Sequence, residues 1–291
     1  MKRDIFVPQT ESELFSFLEG AGERSKIVSG ATDLLPRIVR RQEEAITLVD
    51  ISRLGSLRYV KNEGGLIRIG ALTTLTDLIS TPVLGVRYEA FHRLEQVFGS
   101  PPIRNLATVG GNLAASSSSE DLIPILLALD AEITLKSATS ARTIPLTEFL
   151  RGKRRTSRRN NEILAEVRFK KLKPNSWCTF EKVGRRERVI ISLVSLACTL
   201  TIDRRSDKVE EAKIALNRIR GKIPERAIET EKTIIGTRLD EFQLKKACET
   251  LESELALTSD FRASARYRTV VAKNLLRESL LHCKHSAEEE R

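Results

Sequence analysis

Thr108-Val109-Gly110-Gly111-Asn112 is a short segment in which two adjacent glycines precede a polar stretch and then an apolar, periodic one. A second segment of similar character, Ser29-Gly30-Ala31-Thr32-Asp33, follows the apolar run Lys26–Val28. Glycine allows positive φ and lets a neighbouring group approach closely. Consecutive N–H groups in such a turn bind anions, and the start of a following helix adds partial positive charge. Each segment alone is typical of a structural turn, but two in one chain favour a pyrophosphate site.

The surrounding pattern alternates between strand-like and helical stretches, which favours an α/β or α+β fold. Neither glycine segment has the G-x-G-x-x-G spacing of a Rossmann site. Strands are predicted at residues 26–28, 45–50, 66–69 and 131–135, and helices at 11–18, 34–39 and 88–97.

A polar, proline-containing stretch at 169–175 predicts a domain boundary. Beyond it, strands of an antiparallel sheet are expected at 179–183, 194–202 and 209–216, and helices at 225–235, 241–254 and 262–281. We therefore expect an N-terminal domain over 1–172, with lobes at 1–55 and 56–172. A C-terminal domain over 173–281 and a charged tail over 282–291 would follow.

The composition is that of an ordinary globular protein, with 291 residues, 41% hydrophobic and 30% charged. No apolar run approaches the roughly 20 residues that span a bilayer. The N-terminus has no apolar signal core after its basic residues. We expect a cytoplasmic protein with no membrane partner.

The number and spacing of the cysteines and histidines do not favour a metal site. Cys178, Cys198, Cys248 and Cys283 are widely spaced, which argues against a zinc ribbon, an iron–sulfur cluster or a disulfide framework in this chain. His282 and His285 flank Cys283, but a frayed terminal tail explains this cluster more simply than a metal does. We expect no metal ligands.

The net charge of +10 comes largely from two basic runs, Arg151–Arg159 and Lys182–Arg188. Six of the nine residues in the first run are basic and none is aromatic, so a platform for stacking bases is poorly supported. A solvated loop is the simplest interpretation. Docking to an acidic partner and contact with a phosphorylated ligand remain open.

Five ordered stretches resemble the FAD-binding medium subunit of the molybdenum hydroxylases, the xanthine dehydrogenase and carbon monoxide dehydrogenase type. Together with weaker echoes at Pro224, Arg226, Gly236 and Tyr267-Arg268 they cover nearly the whole chain. They are Ile27–Leu34 (family AGGTDL), Ile67–Thr74 (L-x-IGA-x-TT), Ile103–Asn112 with Asp121 and Pro124 (IRN-x-AT-x-GGN…D-x-x-P), Phe149–Val167 (FF-x-G-x-x-x-T…E-I-L-x-E-I) and Phe180–Val183 with Arg185 (F-x-K-x-x-R).

The resemblance implies an α+β fold with a two-lobed FAD-binding domain of the molybdopterin dehydrogenase type. A smaller α/β C-terminal domain with an antiparallel sheet would follow. It implies FAD as cofactor, a molybdopterin-binding large subunit and a [2Fe–2S] small subunit as partners, and NAD as a possible electron acceptor. The chain itself would supply no catalytic acid, base or nucleophile.

The resemblance also implies the cofactor contacts. The two glycine segments would hold the FAD pyrophosphate, Asp121 the adenosine half, and Phe98 would lie near the flavin, with Leu164 and Lys182 as apolar and polar contacts. The implied cofactor-binding residues are Ile27, Val28, Ser29, Gly30, Ala31, Thr32, Asp33, Leu34, Phe98, Thr108, Val109, Gly110, Gly111, Asn112, Asp121, Leu164 and Lys182.

Each residue type also has a purely structural interpretation. Asp33 could cap the helix that follows it. Asp121 could be a negative charge at the N-terminus of the next helix, where the helix dipole favours it. Phe98 and Leu164 could be core residues, and Lys182 a solvated lysine. Thr108 could simply end a strand, although its hydroxyl is well placed to donate to a phosphate.

The chain departs from the family pattern in three places. Ala31 replaces the second glycine of the first segment, so Thr108–Asn112 is the stronger match. Ser116–Ser119 replaces small and proline residues, and the basic run 151–159 fills a loop that is usually neutral.

Two other functions stay open at this point. One is a basic protein that binds nucleic acid or an acidic partner through the basic run, of which we consider nucleic acid the less favoured partner. The other is a stand-alone or degenerate flavoprotein.

Overall fold

The computed structural model describes residues 4–22, 24–186, 191–217 and 223–289. Glu187 and Arg188, the end of the second basic run, lie outside these residues. The strands are β1 Asp4–Phe6, β2 Ser25–Val28, β3 Thr47–Asp50, β4 Val60–Glu63, β5 Leu66–Gly70, β6 Glu132–Lys136, β7 Ala141–Pro145, β8 Leu150–Gly152, β9 Arg155–Thr156, β10 Ile163–Lys170, β11 Ser176–Val183, β12 Val194–Ile202, β13 Val209–Leu216 and β14 Glu225–Arg226. The helices are α1 Glu11–Gly20, α2 Leu34–Val39, α3 Leu75–Ser80, α4 Glu89–Val97, α5 Pro101–Leu106, α6 Val109–Ala115, α7 Leu122–Ala128, α8 Leu146–Phe149, α9 Ile228–Ile234, α10 Glu241–Glu254 and α11 Ala265–Glu289.

The chain divides into two compact units that are not contiguous in sequence. The first unit contains Met1–Thr81, Ser100–Ser116 and Glu132–Phe169, and the second contains Pro82–Gly99, Ser117–Ala131 and Lys170–Arg291. The glycine segments and the basic run 151–159 therefore belong to the first unit. Phe98, Asp121 and Lys182 belong to the second.

The first unit contains two main sheets. β1, β3 and β2 form a parallel sheet in that order, and its two crossovers are α1 and α2. The other sheet has the order β4-β5-β10-β6-β7. Thr10 caps α1 by accepting from the Glu13 N–H, and the apolar face of α1 is buried at Leu14, Phe15 and Leu18.

The second unit is built on the antiparallel sheet β11-β12-β13-β14. All nine residues of β12 are buried, because α9, α10 and α11 share an apolar core with one face of the sheet and α7 contacts the same strand. An uninterrupted small and apolar strand is what burial on both faces requires. The α+β class and the antiparallel C-terminal sheet are confirmed.

The last helix extends beyond the predicted end. α11 continues to Glu289, whereas the sequence predicted a frayed tail from residue 282. Cys283 and Ala287 are buried in the core of the second unit, and His282 pairs with Glu89 at 2.5 Å. These contacts keep residues 282–289 helical despite their polar composition. Among the described helices, none combines the length and apolar character that crossing a bilayer needs.

The glycine pair Gly110-Gly111 lies in the first turn of α6, not in a loop that follows a strand. The element before it is α5, which begins at two prolines. The backbone N–H groups of Val109 and Gly110 donate to the carbonyls of Thr73 and Ala71, at 2.9 and 2.8 Å. The family-like stretches Ile67–Thr74 and Ile103–Asn112 therefore dock against each other through their backbones.

Gly110 is required by this docking. A Cβ at position 110 would lie 2.7 Å from the Ala71 Cβ and 2.9 Å from its carbonyl oxygen. We therefore expect Gly110→Ala to lower the free energy of unfolding by about 1–3 kcal/mol, as overpacking of a tight contact does. Urea unfolding measures this. Gly22→Ala is the control, since no atom lies within 4 Å of the added methyl group there, and equal stability of the two variants would contradict the argument.

Candidate functional site

The two glycine segments meet in the first unit. The hydroxyl oxygens of Ser29 and Thr108 lie 2.8 Å apart, although 79 residues separate them in sequence. Gly30 allows this approach, because a Cβ at that position would overlap the carbonyl oxygen of Leu106. The predicted convergence of the two segments is therefore present in the fold.

The Ser29–Thr108 pair keeps one hydroxyl proton available for a further acceptor. The Thr108 Oγ1 accepts from the Gly111 N–H at 3.1 Å and also caps α6. Each hydroxyl has one proton, and one of the two protons forms the bond between them. The other can donate to an anion, whichever of the two residues holds it.

The backbone of α6 is already committed within the protein. The N–H groups of Val109 and Gly110 donate to Thr73 and Ala71, and those of Gly111 and Asn112 donate to the Thr108 side chain and carbonyl. The amides of Val109 to Asn112 therefore have partners within the protein, although Thr108–Asn112 is the stronger match to the family pattern. What this segment offers an anion is the Thr108 hydroxyl.

The first segment has amides without a protein partner. Among the described residues, the N–H groups of Gly30, Ala31, Thr32, Asp33 and Leu34 donate to no protein acceptor. Ala31 has φ 59, in the left-handed region. Alternation between right- and left-handed residues turns successive N–H groups towards one point, which makes a concave anion site. The donor set is thus a run of amides beside two hydroxyls.

Ala31 carries a conformational strain that the usual glycine avoids. A left-handed conformation costs a residue with a Cβ about 1–2 kcal/mol. We expect Ala31→Gly to raise the free energy of unfolding by roughly 0.5–1 kcal/mol. Ala114→Gly, in the exposed part of α6, should lower it by a similar amount because glycine weakens a helix. Thermal unfolding of both variants tests this, and destabilisation by Ala31→Gly would contradict it.

Asp33 does not cap α2, because its side chain makes no capping hydrogen bond. Its carboxylate instead accepts two hydrogen bonds from the Arg154 guanidinium, at 2.6 and 3.1 Å, and one from Arg37 at 3.4 Å. Arg154 also donates to the Ala115 carbonyl at 3.2 Å. Sequence reasoning missed Arg154 as a site residue; its only signal was membership of the basic run.

The basic run is partly structural. Arg158 donates to the carbonyls of Arg159 and Glu162, at 2.8 and 2.7 Å, and burial lowers its pKa. Glu162 accepts from Arg142 at 2.7 Å, and this bond lowers the pKa of Glu162. These contacts order the loop that leads into β10.

The apolar residues of the predicted site support it from the core. Val28 packs with Ile38, Ala45 and Leu48, and Leu34 lies against this same cluster. Ile27 lies against a second core cluster. Leu164 is buried beside a bulge in β10. The carbonyl of Ala165 in that bulge accepts from the Ala71 N–H at 2.9 Å. The bulge therefore holds the segment on which α6 docks.

Asp121 and Lys182 form a buried ion pair in the second unit. The Lys182 Nζ lies 2.5 Å from the Asp121 Oδ2 and donates to the Val97 carbonyl at 3.1 Å. The other carboxylate oxygen, Oδ1, is buried and has no hydrogen-bond partner among the described residues. Phe98 is half-buried at the C-cap of α4. Contact of these three residues with a cofactor stays a prediction.

The pKa of Asp121 is raised to about 6, because the desolvation of the carboxylate outweighs its attraction to Lys182. Asp121→Asn leaves the Lys182 ammonium buried without its counter-charge, which costs about 3–5 kcal/mol. Asp121→Asn with Lys182→Met should recover most of that stability, since the unpaired charge is removed. Urea unfolding of both variants tests this. An equal decrease in the free energy of unfolding in the single and double variants would contradict the pairing.

The raised pKa also predicts a pH dependence of stability. Between the ordinary value of 3.8 and about 6, the folded protein binds a proton at Asp121 more tightly than the unfolded chain. This contribution to stability is present at low pH and is lost as the pH rises through that window. The free energy of unfolding of the wild type, relative to the double variant, should therefore fall from pH 4 to pH 6.

Comparison with known proteins identifies the chain. A family model described as the FAD binding domain in molybdopterin dehydrogenase matches residues 1–170, and one described as the CO dehydrogenase flavoprotein C-terminal domain matches residues 179–283. The chain is an FAD-binding medium subunit of the molybdenum hydroxylase family. FAD is its cofactor, and its relatives are subunits of oxidoreductases.

Individual relatives resemble this medium subunit along most of their length. The glyceraldehyde dehydrogenase medium chain of Sulfolobus acidocaldarius is 30% identical, over 90% of this chain and 92% of that protein. The nicotinate dehydrogenase FAD-subunit of Eubacterium barkeri is 33% identical over 69% of each chain. A chain in the structure of reconstituted CO dehydrogenase from Oligotropha carboxidovorans superposes with a TM-score of 0.92, at 27% identity over 98% of each chain.

The donor set of this medium subunit fits the anionic part of FAD. Five amides without a protein acceptor among the described residues follow Ser29, whose hydroxyl lies 2.8 Å from that of Thr108. The Asp33 carboxylate beside them is paired with Arg154 and Arg37. A pyrophosphate needs several donors and no nearby bare negative charge, and this arrangement supplies both.

Proposed function

We propose that this chain is the electron-transfer subunit of a molybdenum-containing dehydrogenase, assembled with a molybdopterin-binding large subunit and a [2Fe–2S] small subunit. FAD, when bound, supplies the redox chemistry between those clusters and an acceptor such as NAD. The residues of this chain bind and orient the cofactor, and no side chain serves as a general acid, base or nucleophile. Relatives named as a medium chain and an FAD-subunit support assembly into a complex.

The observation that carries this proposal is the donor set in the first unit. We assign the FAD pyrophosphate to the amides of Gly30–Leu34 and to the Ser29–Thr108 hydroxyls, which lie 2.8 Å apart. The Asp33–Arg154 pair cancels the negative charge of the acid beside this cradle. Gly110 lets α6 approach Ala71, Gly111 leaves room for the Thr108 and Ser29 hydroxyls, and the α6 amides hold the fold.

Gly111→Asp tests the assignment directly. A Cβ at position 111 would lie 2.9 Å from the Thr108 Oγ1 and 3.2 Å from the Ser29 Oγ. The new carboxylate would therefore place bulk and negative charge against the hydroxyls that bind the anion. We expect the purified variant to retain less than about a tenth of the wild-type flavin, a loss equivalent to about 1.4 kcal/mol or more of binding free energy.

Flavin is measured by visible absorbance after gel filtration. Gly22→Asp introduces the same side chain at an exposed glycine with no atom within 4 Å of the added Cβ, and should keep its flavin. A Gly111→Asp protein that folds like the wild type and keeps full flavin would overturn the pyrophosphate assignment.

The assembly and the acceptor need a separate experiment on the native complex. The complex purified through this chain should contain FAD, iron and molybdenum in fixed ratios. After chemical reduction, addition of NAD⁺ should restore the oxidised flavin spectrum and produce NADH. A complex without iron or molybdenum would refute the proposed assembly. Flavin that is reoxidised by other acceptors but not by NAD⁺ would refute NAD as the electron acceptor.

A further inference from the structure

The β8–β9 hairpin carries one arginine that contacts both glycine-containing parts of the first unit. The Arg154 Nη1 lies 2.6 Å from the Asp33 Oδ2, and its Nη2 lies 3.1 Å from the Asp33 Oδ1. The same Nη1 donates to the carbonyl of Ala115, the last residue of α6, at 3.2 Å. A planar guanidinium can make all three bonds at once, whereas a lysine cannot bind a carboxylate in this bidentate way.

The hairpin fixes the position of Arg154 through backbone groups. The Ser116 hydroxyl donates to the carbonyls of Gly152 and Arg155, at 2.9 and 3.3 Å. The Arg154 N–H donates to the Ser116 carbonyl at 2.8 Å. Ser116 and Arg154 both lie where the chain departs from the family pattern. The guanidinium is therefore placed beside Asp33 by a local arrangement that belongs to this chain.

Asp33 belongs to a small cluster of charges in the first unit. Arg37 donates to Asp33 at 3.4 Å and also pairs with Glu43, and Lys26 lies 3.0 Å from Glu43. With Arg154 these contacts link three cations and two carboxylates, so the net charge of the cluster is +1. Without Arg154 the other four charges cancel. The net positive charge of the cluster therefore comes from Arg154.

This charge lies close to the amides that have no protein acceptor among the described residues. One of those amides is the N–H of Asp33 itself, so an anion held there would be near the Asp33 carboxylate. The Arg154 and Asp33 side chains are 31% and 39% exposed, which places the pair in a medium between water and protein interior. At about 7 Å and an effective dielectric constant of about 40, one unit charge changes the affinity for an anion roughly tenfold.

We propose that Arg154 is a positioning residue for the FAD pyrophosphate, which neutralises Asp33 and gives the Gly30–Leu34 segment its net positive charge. This inference rests on the proposed function, because it takes the pyrophosphate to bind at these amides. Arg154 acts through Asp33 and needs no contact of its own with the cofactor. Its removal should weaken FAD binding by exposing the pyrophosphate to an uncompensated carboxylate.

The test is Arg154→Met, measured by titrating FAD into the full chain after its flavin has been removed. Methionine keeps the unbranched aliphatic stem and removes the charge. In about 0.01 M salt, the dissociation constant for FAD should be about tenfold larger than that of the wild type. Partly exposed ion pairs contribute little to stability, so thermal unfolding should be nearly unchanged.

Asp33→Asn in the Arg154→Met background separates the effect of charge from that of shape. The second substitution returns the net charge of the cluster to +1, although the hairpin still lacks its arginine. The affinity for FAD should then return to within about threefold of the wild type, because the uncompensated carboxylate is gone. A double variant that binds FAD as weakly as Arg154→Met would overturn the proposal.

Salt gives a second measurement that a purely structural role of Arg154 would not affect. The Debye length falls from about 30 Å at 0.01 M to about 3 Å at 1 M, so salt screens both the repulsion by Asp33 and the attraction by the cluster. The difference in FAD affinity between Arg154→Met and the wild type should therefore shrink from about tenfold to less than about twofold. A difference that stays constant over this range would contradict the proposal.

Arg155→Met is the matched control. It removes the same charge from the next residue of the same hairpin, where the side chain is exposed, and it leaves the Asp33–Arg154 pair in place. This variant should bind FAD within about threefold of the wild type, because the lost charge is not paired with Asp33. Equal weakening by Arg154→Met and Arg155→Met would overturn the proposal, since the effect would then belong to the hairpin's overall charge.

The outcomes for Arg154 and for the proposed function are distinguishable. A wild-type chain that binds no FAD would overturn the proposed function. A wild-type chain that binds FAD with an affinity unchanged by Arg154→Met would overturn the role of Arg154 alone. If Arg154→Met fails to fold, Arg154→Gln replaces it, because glutamine also removes the charge but keeps an N–H donor for the Ala115 carbonyl, and the same loss of affinity is expected.

Discussion

Two close backbone approaches underlie the cofactor cradle. Gly30 lies against the Leu106 carbonyl, and Gly110 lies against Ala71. A side chain at either position would push the segments apart. Only because both are glycine can the Ser29 and Thr108 hydroxyls come within 2.8 Å of each other. The glycines therefore act through packing between chain segments, and the donors that we propose for the FAD pyrophosphate come mainly from the residues beside them.

The two glycine segments divide the work between fold and ligand. The first-turn amides of α6 hold the helix onto Ala71 and Thr73, so this segment is a structural joint with one useful hydroxyl. Among the described residues, the amides of Gly30–Leu34 donate to no protein acceptor, and Ala31 within this run takes a left-handed conformation. The strain at Ala31 thus lies in the run of amides to which we assign the pyrophosphate.

The basic run shows how one stretch of sequence can serve different purposes. Arg158 is turned inward onto carbonyl groups, and Arg154 compensates Asp33 beside the cradle. Arg151, Lys153 and Arg155 remain outward with no partner among the described residues. Arg154 takes φ 62 in the turn of the hairpin and Arg158 lies beyond β9, so position in the local backbone separates these roles where composition alone suggests a single solvated loop.

Local and ordered patterns in the sequence determined the family, the FAD cofactor, the α+β class and the bounds of strands such as Val194–Ile202 and Val209–Leu216. These features depend on periodicity and on motif order, which are written along the chain. Tertiary structure alone decided which amides stay free, that Lys182 pairs with Asp121 across 61 residues, and that residues 282–289 remain helical. Each of those outcomes depends on the partner that a group meets after distant segments pack together, and no local pattern encodes that partner.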